Sequence, residues 1–261
     1  MLKVVLDLGL EKSQLGEYSM RRDYELLSKI FEYPREDYRE YIKSVAQELK
    51  ERYPNTSKEL EELYSKLPDD IYKLQELYTK SFEVQAITSL EVGYVLYGDD
   101  YTRGEILANL SAEQKRVGTL NPQELPDHLS NILRLIARME DGELLNDLVR
   151  LMVAPAVENM MKEYTPSSMR QKEKFYKKKY KTLIVPSTPL GVYLHLFKAL
   201  YSMLDSDFEL IKENRPFADV SFFGFLKSEL EVEEGKKSSN SCSMQFNSCG
   251  MPIGNFGSCS V

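Results

Sequence analysis

The sequence predicts an all-α protein: a single-domain helical bundle over residues 1–230, then a Ser/Gly/Asn/Cys-containing flexible tail over 231–261. Three observations predict it. Apolar residues recur at three- and four-residue spacing through most of residues 20–213. No convincing run alternates apolar and polar residues; "TLIVP" at 182–186 is the best strand candidate, and it is short and ends in proline. From about Glu231 the composition shifts to Ser, Gly and Asn without a periodic apolar face, which buries too little to offset chain entropy. There is no fixed-period repeat, so a solenoid is not expected.

Each element has its own signal. "RRDYELLSKIFEYP" sets Tyr24, Leu27, Ile30 and Phe31 on one helical face, and Pro34 ends that helix or starts the next. "REDYREYIKSVAQELKERY" repeats the pattern through Tyr38, Tyr41, Ile42, Val45 and Leu49. "NTSKELEELYSKL" is shorter, with Asn55, Thr56 or Ser57 as the expected cap. Asp69 and Asp70 suit the start of a helix carrying Ile71, Leu74, Leu77, Tyr78 and Phe82, because acids meet the positive end of the helix dipole. The next helix runs from about Thr102 to Val117, and Gly118 stops it. Residues 141–163 carry an apolar face of Leu144, Leu148, Leu151 and Met152. Residues 186–212 carry another, through Leu190, Tyr193, Leu194, Phe197, Leu200 and Leu204.

Composition narrows the function. Hydrophobic residues at 42% and charged residues at 29% suit a soluble globular domain. A formal net charge of −7 makes the chain a poor general binder of nucleic acid or anionic membrane and favours basic partners. The basic, aromatic-interleaved run "RQKEKFYKKKYK" at 170–181 reads as a solvated helix face or an internal partner for acids. Neither a secretory signal nor a run of roughly 20 apolar residues is expected, so the protein reads as cytoplasmic without direct membrane insertion. Cys242, Cys249 and Cys259 all lie in the tail at spacings that match no common zinc pattern; they read as unpaired thiols.

The stretch "ELPDHLSNILRLI" at 124–136 concentrates the functional question. Leu125, Leu129, Ile132, Leu133 and Ile136 are expected to share a helical face, with Pro126 at the first position and Asp127 in the first turn. "NPQE" upstream suits a turn capped by Asn121. Three readings compete for Asp127 and His128: an acid–base pair, a metal ligand set, or the polar rim of a protein-binding groove. Metal binding needs more ligands than the only other histidine, His195, supplies. Adjacent helical residues point about 100° apart, which suits a catalytic pair badly, and no phosphate loop or nucleophile elbow accompanies them.

Three ordered pieces resemble a known family. "LLSKIFEYP" at 26–34, "LYTKSFEVQAITSLEVGYVLYGDDYTRGEIL" at 77–107 and "ELPDHL" at 124–129 resemble the assembly chaperones of molybdenum enzymes. The nitrate reductase delta-subunit (NarJ) type, within the TorD-like group, is the nearest in pattern. Phe82, Ser89–Leu90, Gly98–Asp99 and Arg103–Gly104 fall where that family has similar residues; Glu83 stands where it usually has Asp. The 165–188 segment and the tail have no clear counterpart.

The resemblance implies a non-enzymatic, system-specific chaperone. Its partner would be the immature catalytic subunit of a molybdenum oxidoreductase, held through an N-terminal leader or its remnant until cofactor insertion, before membrane docking or twin-arginine export. Cofactor biosynthesis proteins are further implied partners; nucleic acid is not. The molybdenum cofactor and iron–sulfur clusters would belong to the client, and the chaperone would need no cofactor of its own. On this reading Glu124, Pro126, Asp127 and His128 form the lip of a client-peptide groove, and Tyr78 and Phe82 its aromatic walls. Tyr101, Arg103 and Gly104 join them from the matched block, with Gly104 allowing close helix packing and Arg103 pairing with an acid. Two other classes stay open: a helical adaptor retained in a finished complex, and a hydrolase built on His128.

Overall fold

In a computed structural model of the chain, the described residues are 22–140, 142–186 and 188–210. The expected boundary at 230/231, the tail and its three cysteines lie outside them. Among the described residues the structure is all helix and loop. It has no strand, only an isolated antiparallel bridge between Glu91 and His128. No helix among them is long and apolar enough to cross a membrane.

The first helix, α1, covers residues 22–28 and tightens into a 3-10 turn at Lys29–Phe31, stopping before Pro34. Then come α2 (Tyr38–Leu49) and α3 (Pro54–Lys66). The expected cap of α3 is corrected. Pro54 occupies the first turn, where its fixed φ starts the helix, and Thr56 and Ser57 lie buried inside it. Their hydroxyls donate instead to Ala199 O at 3.1 Å and Ala46 O at 2.7 Å, bracing α3 against two neighbours. Asp70 caps α4 (Ile71–Phe82) as expected, accepting from Lys73 N–H at 3.0 Å.

A short α5 (Val92–Tyr97) precedes α6 (Tyr101–Val117), which Asp100 caps and Gly118 ends at φ +72°, a left-handed value that suits glycine. Next is α7 (Leu129–Arg138). After it, α8 (Glu143–Asp147) passes through a π-helical turn, Leu148–Val153, into α9 (Ala154–Glu163). Then α10 (Pro166–Tyr180) carries the basic run, and α11 (Leu194–Phe208) follows a 3-10 turn at Leu190–Tyr193. The strand candidate at 182–186 is a loop: the Gln85 amide donates to Thr182 O and accepts from Ile184 N–H, both at 3.2 Å.

The core sits where α3 packs on α2 and α11, and α11 on α9. Leu60, Leu63, Val153, Phe197 and Leu200 are fully buried there. α9 also packs on α5, which joins it to α6, and α6 packs on α7. The π turn changes the expected face of residues 141–163. It breaks the 3.6-residue period, so Leu145, Val149 and Val153 join Leu148 in the core, while Leu144 and Leu151 stay 58% and 44% exposed.

Candidate functional site

The "PDH" residues form a joint rather than a rim. The expected helix start at Pro126 is corrected: Pro126 and Asp127 form a turn closed by His128 N–H donating to Leu125 O at 3.0 Å, His128 itself is extended, and α7 begins at Leu129. The turn is pinned by the Glu91–His128 bridge at the approach to α5. Val92 N–H donates to Asp127 O at 2.8 Å, and Leu129 N–H donates to Leu90 O at 2.9 Å. Leu125, expected on the α7 apolar stripe, lies before the helix and is 48% exposed. Asn121 does form the expected turn, accepting at Oδ1 from Gln123 N–H at 3.1 Å.

Asp127 is fully buried. Its Oδ2 accepts from Arg103 Nε at 3.0 Å, and Arg103 also reaches Asp99 at 3.3 Å and stacks its guanidinium on the Tyr94 ring. The expected acid partner of Arg103 is thus Asp127 itself, with Asp99. Oδ1 of Asp127 has no hydrogen-bond partner among the described residues. Gly93 makes room for the pair, since a Cβ there would lie 2.8 Å from Asp127 Oδ2 and 3.2 Å from Arg103 Cγ. A second tie runs from the far end of α6, where Gln114 Nε2 donates to Pro126 O at 2.8 Å. Asn131 closes the loop from below, donating to the carbonyls of Asn121, Glu124 and Leu125.

His128 is buried and caps α7. Its Nδ1 accepts from Ser130 N–H at 3.2 Å and lies 2.8 Å from Ser130 Oγ, which leaves the ring proton on Nε2. Burial pushes its pKa down to about 4, so it is neutral near pH 7. Asp127 therefore serves Arg103 and His128 serves Ser130; the two side chains are not arranged as a catalytic pair. His195 keeps other company, with Glu59 at 2.6 Å and Lys66 at 2.7 Å.

The remaining expected site residues are dispersed. Glu124 is half-buried beside the joint, its pKa raised by burial and by the nearby Glu83 charge. Tyr78 and Phe82 are core residues, stacked edge-on at 4.9 Å and joined by Tyr193 and Phe197. They are corrected from groove walls to packing. Tyr101 is 91% exposed. Gly104 makes no close helix contact, since a Cβ there would meet nothing within 4 Å.

The groove lies elsewhere, on the surface that the joint organises. It holds about 430 Å³ between α6, α7 and the α8–π segment. From α6 come Ile106, Leu110 and Glu113; from α7 and its end come Leu135 and Met139; the third side is Leu144, Asp147, Leu148, Leu151 and Met152. This third side is the apolar face read from residues 141–163, split by the fold: Leu144 and Leu151 are exposed, Met152 is half-buried and Leu148 belongs to the core. Its charged lining residues are Glu113 and Asp147, both acids. Arg103 and Gln114 fasten the two ends of α6 to the loop that launches α7, so the Pro126–Asp127 joint sets the spacing of two groove walls. Gly93, Gln114 and the exposed leucines were missed as site residues in the sequence. The signal for the leucines was present, as an apolar face with no assigned partner.

No family model matches the chain, and no curated protein matches it. The likeness to NarJ-type chaperones stays with the three quoted motifs.

Proposed function

We propose that the chain is a protein-binding chaperone whose acid-lined apolar groove holds a basic, apolar segment of an immature partner. Following the motif resemblance, that partner is the catalytic subunit of a nitrate-reductase-like molybdenum oxidoreductase, held through its leader or leader remnant. The groove carries the reading. Leu144 and Leu151 expose large apolar surface beside Glu113 and Asp147. With about half of each side chain already buried, covering one such leucine contributes roughly 1–1.5 kcal/mol. The acids, within a chain of net charge −7, speed encounter with a basic segment and discriminate against acidic ones. The buried Asp127–Arg103 pair acts indirectly, by holding α6 against the start of α7.

The test is affinity capture from native cell extract, with captured proteins identified by mass spectrometry, using wild type and Leu144→Glu/Leu151→Glu. A molybdenum-enzyme catalytic subunit lacking its cofactor should be enriched by wild type and lost by the variant. Equal recovery by the variant contradicts the groove. Stoichiometric recovery of the chain with the finished, active enzyme instead supports the retained-adaptor reading.

A further inference from the structure

A second cavity lies away from the groove, between the 83–87 loop, α10 and the 183–185 segment, and it also holds about 430 Å³. That volume falls in the range of small-molecule sites, about 300–1,000 Å³. Its apolar walls include Ile87, Met169, Tyr176 and Leu183. Its charged lining differs from the groove's: Lys80, Arg170 and Lys172, against Glu173. Lys80 and Lys172 are 5% and 3% exposed, unusual burial for lysine.

Three consecutive backbone carbonyls are gathered onto this cluster. Lys80 Nζ donates to Gln85 O, Tyr176 Oη to Ala86 O, and Lys172 Nζ to Ile87 O. Lys172 also pairs with Glu163 at 2.7 Å, and the Lys80 ammonium sits 5.1 Å from the Tyr176 ring centre. These contacts brace the loop against α10. They do not account for the open apolar volume beside the amines. Among the described residues, Lys80, Arg170 and Lys172 stand against Glu173 and, behind Lys172, Glu163, with both lysines removed from water. A buried ammonium is favoured by an opposite charge in contact with it.

We propose that this cavity binds an organic monoanion with an apolar body, such as a medium-chain carboxylate, with the Lys80–Lys172 end taking the anionic head and Ile87, Met169, Tyr176 and Leu183 the body. Burial draws the amines down: each lysine pKa falls to about 8, and the charge of Lys172 contributes to the shift at Lys80. An anion beside them reverses that shift, so binding and protonation support one another. The inference is independent of the groove and of the client.

The experiment is isothermal titration calorimetry of the full chain at pH 7 with decanoate, below its micelle concentration. Separate arms use decyltrimethylammonium, which keeps the tail and inverts the head, and inorganic phosphate, which has no tail. Decanoate is expected to bind at a single site, with the cationic amphiphile and phosphate each roughly tenfold or more weaker. Lys80→Met keeps the stem and removes the charge. Ile184→Glu, at a 40% exposed position on the cavity wall, puts a like charge at the mouth. Both should weaken decanoate by roughly tenfold or more, Ile184→Glu with little change in melting temperature, while Leu144→Glu/Leu151→Glu leaves it unchanged. Absence of decanoate binding overturns the proposal. So does equal binding of the two amphiphiles, phosphate binding as tightly as decanoate, or decanoate affinity unchanged in both cavity variants.

Discussion

The groove and the cavity enclose the same volume, about 430 Å³ each, and both are mostly apolar. They differ in the sign and burial of their charges. The groove carries Glu113 and Asp147 at an open surface between α6, α7 and α8. The cavity carries Lys80 and Lys172 at 5% and 3% exposure. Exposed charges act mainly through encounter and selection and are screened by salt over a Debye length of roughly 8–10 Å. Buried charges need a partner in contact. The same amount of apolar space is therefore assigned to different occupants: a basic polypeptide segment outside, a small apolar anion within.

The comparison breaks most strongly at the joint beneath the groove. Asp127→Ala leaves Arg103 without its buried partner and should lower unfolding free energy by about 3–5 kcal/mol, read from urea denaturation. Gly93→Ala crowds the same pair at 2.8 Å and should cost about 1–3 kcal/mol. It would do so even though alanine is the better helix former. A neutral result for both would remove the joint as the organiser of α6 and α7.

The groove itself should respond in binding rather than in stability. Leu144→Glu/Leu151→Glu changes exposed positions, so each substitution should stay within about 0.5 kcal/mol of wild type in stability. Client-segment affinity should fall roughly tenfold or more.

Proton linkage separates the two regions by pH. The pKa of His128, in the joint, is depressed to about 4 from 6.5, so the unfolded chain takes up its proton first. Its contribution is complete above pH 6.5 and is lost as pH falls through 4. Comparing wild type with His128→Asn, which keeps a capping acceptor, isolates this from Asp23. Burial raises Asp23 to about 6, so it acts with the opposite sign, losing stability as pH rises from 3.8 to 6. The wild-type advantage over His128→Asn should shrink through the acid window; parallel curves would contradict the buried neutral imidazole. In the cavity the window is alkaline: the pKa of Lys80 is depressed to about 8 from 10.5, so its burial penalty falls as pH rises above 8. Wild type should then gain on Lys80→Met.

The smallest effect concerns the rim acids. Glu113→Gln/Asp147→Asn should slow client association by a few-fold and flatten its salt dependence, with little change in dissociation. Stopped-flow mixing at low and high salt reads both.

Much of the fold was legible because its signals are local. The Asp70 cap, the Gly118 stop and the Leu74–Leu77–Tyr78 face need only neighbours in sequence. The site was less legible. Asp127 and His128 read as rim groups because the helix was expected to start at Pro126. What keeps them out of the helix is a Leu125–His128 turn pinned by pairing with Leu90 and Val92, a contact that no local period encodes. The face Leu144–Leu148–Leu151–Met152 was visible as apolar, yet the π turn draws Leu148, Val149 and Val153 into the core and leaves Leu144 and Leu151 outside. The basic run at 170–181 shows both expected behaviours, with exposed Lys177 and Lys178 and with Lys172 turned inward onto Glu163.

The most direct test is fluorescence anisotropy with labelled N-terminal peptide of the captured catalytic subunit, titrated with wild type and with Leu144→Glu/Leu151→Glu at matched melting temperature. The account predicts saturable wild-type binding that weakens with salt without vanishing, and a loss of roughly tenfold or more in the variant. Equal affinity in the two proteins would contradict it.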